Sequence, residues 1–271
     1  MQPLRGIACK IIAVIMFMTM ASLIKAASAD VPPGQAVFFR SFFALPVILG
    51  WLAVRQELRT GWRTCNPLSH VWRGLFGAAA MGLGFTGLGL LPLPEVTAIG
   101  YAAPLFVVIF AALLLREEVR AFRMTTVALG MVGVLIVISP RLSVGGDLTS
   151  GETLGAIVVF VGAILAALAQ IFVRKMVATE TTAAIVFWFT ITATVLSLMT
   201  LPWGWTLPRW QAAAMLITAG LLGGVGQIFL TTSYRYADAS LVAPFDYTSM
   251  LLALAIGYFV FDEVPTGTML L

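Results

Sequence analysis

The sequence predicts an all-α polytopic membrane protein, and three observations support that fold class. Hydrophobic residues make up 60% of the 271 residues and charged residues only 10%, whereas a typical soluble domain has about 25% charged residues. The mean hydropathy is +1.00. Apolar runs of roughly 20 residues, the length that crosses a bilayer, recur along the whole chain. A soluble globule cannot bury this much apolar surface while presenting so few charges to water.

Nine apolar runs predict nine transmembrane helices, with boundaries uncertain by a few residues. They lie near residues 6–26, 34–53, 74–91, 95–115, 122–139, 153–173, 183–202, 211–233 and 239–260. A tenth stretch begins at Thr266, and the sequence stops at Leu271. Six residues cannot cross a bilayer, so we expect a ten-helix plan whose last helix is truncated.

The distribution of basic residues predicts the orientation. With a cytoplasmic N-terminus, eleven Lys and Arg residues fall in inside segments and two fall in outside loops. The inside residues are Arg5, Arg55, Arg59, Arg63, Arg73, Arg116, Arg120, Arg123, Arg174, Lys175 and Arg235, and the outside residues are Arg141 and Arg209. Lys and Arg concentrate in cytoplasmic loops of membrane proteins, so we expect an inner-membrane protein with its N-terminus inside. The same placement explains the basic pI of about 9.4 without a nucleic-acid partner.

An internal repeat accounts for the order of features along the chain. Each half has a glycine-rich span, followed by a span that contains a proline, Pro104 or Pro244, and ends in an acidic pair. At a shift of 145 positions, Tyr101 aligns with Asp246. Because each half holds five spans when a tenth is counted, the halves must have opposite orientations, as in many secondary transporters. We therefore predict repeats at 1–139 and 153–271, joined by a periplasmic linker at 140–152.

Several segments carry a resemblance to a known group of proteins. They are Phe38–Phe43, Gly100–Leu105 continuing to Arg116–Glu118, Gly130–Val134 and Ala237–Glu263. With these segments the chain resembles the ten-helix EamA-type members of the drug/metabolite transporter superfamily. The stretches His70–Gly74 and Leu90–Ala98 are similar to those of bacterial riboflavin importers within that superfamily. The resemblance implies a secondary transporter and leaves its substrate open.

Asp246 is the foremost candidate for a functional residue. It lies about six residues into the ninth span, roughly 9 Å deep, where an ionised carboxylate costs about 2.5–3.5 kcal/mol. Small residues such as Ala253 and Gly257 continue its helical face, which favours an inward position. It is interpreted as a substrate contact or proton site, with a capped structural acid as the alternative.

The other candidates divide into two groups. The predicted substrate-binding residues besides Asp246 are Tyr101, Tyr247, Trp188, Gln170 and Gln227, each with plain helix packing as the alternative. The predicted structural or gating residues are Arg40, Glu95, Pro104 and Pro244. We expect Arg40 to reach the outer headgroups or to pair with Glu95 or Asp30, and Lys10 and Lys25 to extend toward opposite interfaces.

Enzymatic sites have little support in the sequence. Gly82–Gly87 matches the pattern GxGxxG, but it lies inside an apolar span, where close helix packing explains it better than a nucleotide. Two cysteines and one histidine cannot form a closed zinc site. No HExxH, GxSxG or Walker A motif is present. We expect neither catalytic residues, nor a metal, nor a cofactor.

These observations predict a secondary transporter that moves a small organic solute by alternating access. Riboflavin uptake is one possibility, and export of amino acids or related metabolites is the other. A non-transporting membrane enzyme or a structural helix bundle is the alternative from another class. The expected partners are the solute and the bilayer, with the chain as a monomer or homodimer.

Overall fold

A computed structural model describes residues 2–115, 121–142, 151–237 and 243–264. Those residues form α-helices and one 3-10 helix, with no strand among them, which confirms the all-α class. The helices are α1 (Pro3–Ala27), α2 (Pro33–Phe42), α3 (Ala44–Val54), α4 (Pro67–Leu90), α5 (Leu93–Gly100), α6 (Ala102–Leu115), α7 (Ala121–Leu142), α8 (Gly151–Met176), α9 (Thr182–Leu198), α10 (Trp210–Tyr236) and α11 (Thr248–Phe261), with the 3-10 helix at Ala243–Tyr247 before α11. The acidic pair Glu117–Glu118, residues 143–150 of the predicted linker and the start of the tenth stretch lie outside the described residues, whereas the two ends of that linker belong to α7 and α8.

The helices are long and apolar enough to make a multi-pass membrane protein. Five segments meet the length and composition of a membrane span: Pro3–Ala27, Pro33–Val54, Leu93–Leu114, Gly151–Met176 and Trp210–Tyr236. Shorter apolar helices cover Met124–Ser139, Thr182–Leu198 and Phe245–Phe261. The glycine-rich α4 covers the remaining predicted span.

Two of the predicted spans are broken near their middles, and prolines explain both breaks. Pro46 has no N–H to donate to the carbonyl of Phe42, and the chain leaves the helix at Phe43, between α2 and α3. Pro104 has the same relation to Gly100, and the chain turns at Tyr101 between α5 and α6. Phe43 and Tyr101 themselves keep right-handed helical dihedral angles, so each span is interrupted for a single residue and then continues.

The bundle has two ends, defined here by the elements that meet there. At the N-terminal end, the start of α1 lies beside the end of α10, where the Gln2 N–H donates to the Tyr236 carbonyl at 3.2 Å. At the opposite end, the loop after α1 meets the loop before α10, where the Thr206 hydroxyl donates to the Asp30 carbonyl at 2.8 Å.

Many helices of the two halves touch, and three of these contacts show antiparallel helices. In the contact of α1 with α10, Gly6 faces Ala237 and Met20 faces Gly223. In the contact of α4 with α8, Phe76 stacks on Phe172 at 5.8 Å. Between α5 and α11, the Leu93 N–H at the start of one helix donates to the Glu263 carboxylate after the end of the other, at 2.9 Å. Of these pairs, α5 and α11 belong to the spans that are equivalent in the two predicted repeats, and their opposite directions are compatible with an inverted relation between the halves.

Burial separates a core from an apolar exterior. The largest core cluster joins α1, α2 and α10 and includes the fully buried Ile24 and Leu216. Large apolar side chains on other faces are exposed, among them Leu129 at 72% and Phe259 at 80%. Because water disfavours such surfaces, these faces suit contact with lipid tails.

The glycines of α4 have different surroundings, and this corrects one expectation. A Cβ at Gly87 would clash with Val159 of α8, so close helix packing explains that glycine. A Cβ at Gly82 or Gly84 would meet no atom within 4 Å. Close packing therefore does not account for these two positions, because their missing side chains face open space.

The native cysteines give a test of the predicted orientation. Cys65 is exposed at the N-terminal end, so a membrane-impermeant maleimide should label it in inverted vesicles and leave it unlabelled in intact cells. A variant with Cys9 and Cys65 replaced by serine and Trp205 replaced by cysteine should show the reverse pattern, because position 205 lies at the opposite end. Labelling of Cys65 from outside intact cells would contradict a cytoplasmic N-terminus.

Candidate functional site

Tyr101 lies at the centre of a polar cluster between the two halves. The break between α5 and α6 directs its hydroxyl to α11, where it lies 2.8 Å from the Ser249 hydroxyl. The same hydroxyl lies 3.3 Å from the Asp246 carbonyl oxygen. The Tyr101 and Tyr247 rings are 5.0 Å apart. The structure thus brings together three of the residues singled out in the sequence, Tyr101, Asp246 and Tyr247.

Lys10 completes this cluster, although the sequence predicted that it would extend to an interface. Its ammonium nitrogen lies 2.8 Å from an Asp246 carboxylate oxygen and 5.4 Å from the centre of the Tyr234 ring. Lys10 is only 2% exposed. The prediction was wrong because the carboxylate and the ring attract the ammonium group inward. We call Lys10, Tyr101, Asp246, Tyr247 and Ser249 the Tyr101 cluster.

Lys25 also turns inward, at the opposite end of α1. Its ammonium nitrogen lies 2.9 Å from the Glu263 carboxylate and donates to the Leu91 carbonyl at 2.7 Å. Asp262 ends α11 in the left-handed conformation, with φ of 54°, and Glu263 follows it. The ion pair therefore ties the end of α1 to the end of α11, and the expectation that Lys25 reaches an interface was wrong.

Arg40 differs from its prediction as well. It is 3% exposed, so it does not reach the outer headgroups. Within the described part of the chain, its Nε and Nη1 atoms have no hydrogen-bond partner, so it does not pair with Glu95 or Asp30 through them. Its guanidinium carbon instead lies 5.5 Å from the centre of the Phe189 ring. Phe189 attracts the cation into the bundle because the face of an aromatic ring is negative.

Arg73 meets the same ring, and the sequence analysis did not single it out as a site residue. Its guanidinium carbon lies 3.8 Å from the Phe189 ring centre, and the residue is 6% exposed. Its Nε and Nη1 atoms likewise lack partners among the described residues. Arg73 was counted as a cytoplasmic loop residue because it precedes the predicted span. The longer α4 places it inside the bundle, where Arg40 and Arg73 form what we call the arginine pair.

The arginine pair is energetically costly in this position. A single Arg at the centre of a membrane helix costs about 2.5–3.5 kcal/mol on insertion scales. A cation over an aromatic ring returns about 0.5–2 kcal/mol. Two guanidinium groups on one ring also repel each other. The ring therefore does not fully offset the cost of two buried positive charges.

The remaining predicted site residues are dispersed. Gln227 is buried on α10, one turn from the glycine that faces Arg40, whereas Gln170 is exposed on α8. Glu95 is buried in the first turn of α5. Pro104 lies just after the break at Tyr101, and Pro244 lies in the 3-10 helix that leads to Asp246. Exposure thus separates Gln170 from Gln227 and Glu95, which are both buried.

Trp188 lies between two surface clefts. One cleft of about 250 Å³ lies between α4 and α9 beside His70, and the other, of about 470 Å³, lies between α3 and α9 beside Trp62. The Trp188 indole N–H donates to the Trp62 carbonyl at 2.8 Å. Trp188 therefore fixes the loop after α3 against α9, and its ring is half-buried rather than part of the Tyr101 cluster.

Glu180 is a buried acid that sequence reasoning missed. Its carboxylate accepts hydrogen bonds from the Thr64 hydroxyl and from the backbone N–H groups of Cys65 and Asn66, at 2.8, 2.8 and 3.0 Å. Burial alone raises its pKa, but these hydrogen bonds and the nearby His70 outweigh burial and hold the pKa below its ordinary value. Glu180 thus joins the loop before α4 to the loop before α9.

Both halves of the chain match the same protein family. The EamA-like transporter family matches it twice, over residues 4–139 and 153–271. The chain belongs to the EamA-like transporter family. A solved crystal structure has the same fold, with a TM-score of 0.73 at 18% identity over 98% of this chain and 91% of that chain.

Named relatives of this EamA-like protein are transporters of different compounds. A pseudopaline exporter of Pseudomonas aeruginosa is 29% identical over 96% of this chain and 89% of its own length. An S-adenosylmethionine uptake transporter of Rickettsia prowazekii is 26% identical over 85% of this chain and 76% of its own. A riboflavin transporter of Rhizobium johnstonii is 28% identical over 87% of this chain and 76% of its own length. These names point to transport rather than to an enzyme.

Glu180 allows a stability test. Glu180→Ala should lower the unfolding free energy by about 1.5–3 kcal/mol, because three donors lose a charged acceptor. Since folding lowers the Glu180 pKa, its contribution is present above the ordinary carboxyl pKa and is lost as the pH falls through the lowered value. Thermal unfolding in detergent between pH 3 and pH 7 would measure both effects.

Glu57→Ala is the matched control, since Glu57 pairs with the exposed Arg55 and should change stability by less than about 1 kcal/mol. Equal melting temperatures for wild type and Glu180→Ala at neutral pH would contradict the anchoring role.

Proposed function

We propose that this EamA-like protein is a secondary transporter that moves a small organic solute across the inner membrane by alternating access. The observation that carries the proposal is the Tyr101 cluster, where α1, the break between α5 and α6, and α11 meet. Polar groups on discontinuous helices between two repeats are where such transporters bind substrate. Family membership supports the same conclusion. The N-terminus is proposed to lie in the cytoplasm, and the chain to act as a monomer or homodimer.

The composition of the cluster suits more than one solute. The Tyr101 and Tyr247 rings offer faces for a planar ring system such as that of riboflavin. The Asp246 carboxylate offers acceptors for a polyol or for the ammonium group of an amino acid. The named relatives include an exporter and uptake transporters. Riboflavin uptake and export of amino acids or related metabolites therefore both stand as candidates.

Ion pairs at two levels of α1 supply a structural basis for alternation. Lys10–Asp246 joins α1 to the start of α11, and Lys25–Glu263 joins it to the region just after the end of α11. Breaking one pair while the other persists would let the bundle open at one end at a time.

Solute flux is the direct test. Purified protein in liposomes should exchange an internal unlabelled solute for an external labelled one, with riboflavin and a set of amino acids as the solutes tested, with and without a proton gradient. Flux above that of protein-free liposomes is expected for one of these classes, and the dependence on the gradient would report coupling. Absence of flux for every solute would favour the alternative of a non-transporting bundle.

Asp246 should affect transport more than folding. Asp246→Asn removes the partner of Lys10 and is expected to reduce flux at least tenfold and to lower the melting temperature, because a buried ammonium group loses its counter-charge. The double variant Lys10→Met, Asp246→Asn should recover stability without recovering flux.

Asp262→Asn is the control, since Asp262 is exposed beyond α11. Flux at the wild-type level in the double variant would exclude the Tyr101 cluster as the substrate site.

A further inference from the structure

The arginine pair lies between the two halves of the bundle. Arg40 is on α2 and Arg73 on α4, whereas Phe189, the ring they share, is on α9. Arg40 lies about 10 Å along its helix from the opposite end, and Arg73 lies about 9 Å along α4 from the N-terminal end. The two cations therefore approach each other from opposite ends at a depth that lipid headgroups do not occupy.

Glycines make room for both guanidinium groups. A Cβ at Gly77 on α4 would clash with Arg73, and a Cβ at Gly223 on α10 would lie 3.0 Å from the Arg40 Nε atom. One glycine belongs to each half of the chain. Larger side chains at these positions would occupy the space that the two arginine side chains now fill, so the glycines allow both cations to lie inside the bundle.

Four carboxylates in the described part of the chain have partners other than Arg40 and Arg73. Asp246 is paired with Lys10, Glu263 with Lys25, Glu57 with Arg55, and Glu180 with Thr64 and two backbone N–H groups. Arg40 and Arg73 have four unpartnered Nε and Nη1 atoms among the described residues. Buried charges in proteins are normally paired. Within the described ranges no carboxylate forms an ion pair with these two adjacent buried cations, which indicates an anion that is bound during the functional cycle.

We propose that Arg40 and Arg73 bind the anionic group, a carboxylate or a phosphate, of the transported solute. Planar guanidinium groups suit both oxyanions, since each can donate two parallel hydrogen bonds. The inference rests on the proposed transport function and specifies its substrate class. An anionic amino-acid-like or phosphorylated solute fits this site, whereas neutral riboflavin leaves the two charges unpaired. The Tyr101 cluster would then contact another part of the solute.

Ligand-induced thermal stabilisation tests the site before the solute is known. The full chain in phosphatidylcholine nanodiscs would be melted with acetate, inorganic phosphate, methionine or riboflavin 5′-phosphate, at constant ionic strength. Methionine amide and riboflavin are the counterparts of the last two that lack the carboxylate or the phosphate. We expect at least one anionic probe to raise the melting temperature of the wild type, and Arg40→Gln and Arg73→Gln each to weaken its apparent affinity about tenfold or more.

The variants also separate binding from a structural role. Without ligand, Arg73→Gln should melt at or above the wild-type temperature, because an unpaired buried charge is removed. Arg55→Gln is the control, since this exposed arginine also lies over an aromatic ring, that of Trp51, at 5.2 Å. It should leave the response to the anion unchanged.

Four results would overturn the proposal. One is no stabilisation by any anionic probe, and another is equal stabilisation of the wild type and both arginine variants. The third is an arginine-dependent stabilisation that appears only when phosphatidylglycerol replaces phosphatidylcholine, which would assign the site to a lipid headgroup. Flux that persists for neutral solutes and does not depend on Arg40 or Arg73 would refute this inference while leaving the proposed transport function intact.

Discussion

A hydrocarbon exterior offers no hydrogen bonds and no counter-ions, and this constraint accounts for most of the arrangement inside the bundle. Each backbone group must be satisfied by the helices themselves. Each charge within the spans must reach an interface or find a partner inside. Lys10 and Lys25 find carboxylates on or next to α11, and so two ion pairs tie the first helix of one half to the last described helix of the other.

The arginine pair is the exception to this rule, and the exception has a physical meaning. The Phe189 ring attracts both cations and so offsets part of the cost of burying them. Its side chain has no oxygen or nitrogen atom that could accept hydrogen bonds from the guanidinium N–H groups. Sites that bind charged ligands commonly contain side chains whose charge and hydrogen bonds are unsatisfied in the free protein, because the ligand then supplies the missing partners. The Tyr101 cluster, by contrast, is internally paired, through the Lys10–Asp246 ion pair and the hydrogen bond between the Tyr101 and Ser249 hydroxyls.

Helix breaks connect the fold to both sites. Proline prevents one backbone hydrogen bond in each broken span, and the turns at Phe43 and Tyr101 follow. The turn at Tyr101 aims its hydroxyl at α11. The turn at Phe43 allows α10 to approach closely, since a Cβ at Gly220 would lie 2.6 Å from the Phe43 Cβ. These breaks place irregular backbone between the halves, where it is buried in protein rather than exposed to lipid.

The sequence alone determined the membrane class, the approximate positions of the apolar helices, and the pairing of Tyr101 with Asp246 at a shift of 145 residues. Composition and proline positions determine where an apolar helix begins, breaks and ends, and this depends on neighbouring residues in the sequence rather than on which helices are in contact. Only the tertiary structure decided that Lys10, Lys25 and Arg40 turn inward, and that Arg73 joins Arg40 on Phe189. A long cationic side chain can extend to an interface or bend toward a partner, and the choice depends on carboxylates and rings that are distant in sequence. That is why the local pattern identified Arg40 but assigned it the wrong surroundings, and why it gave no signal for Arg73 as a partner.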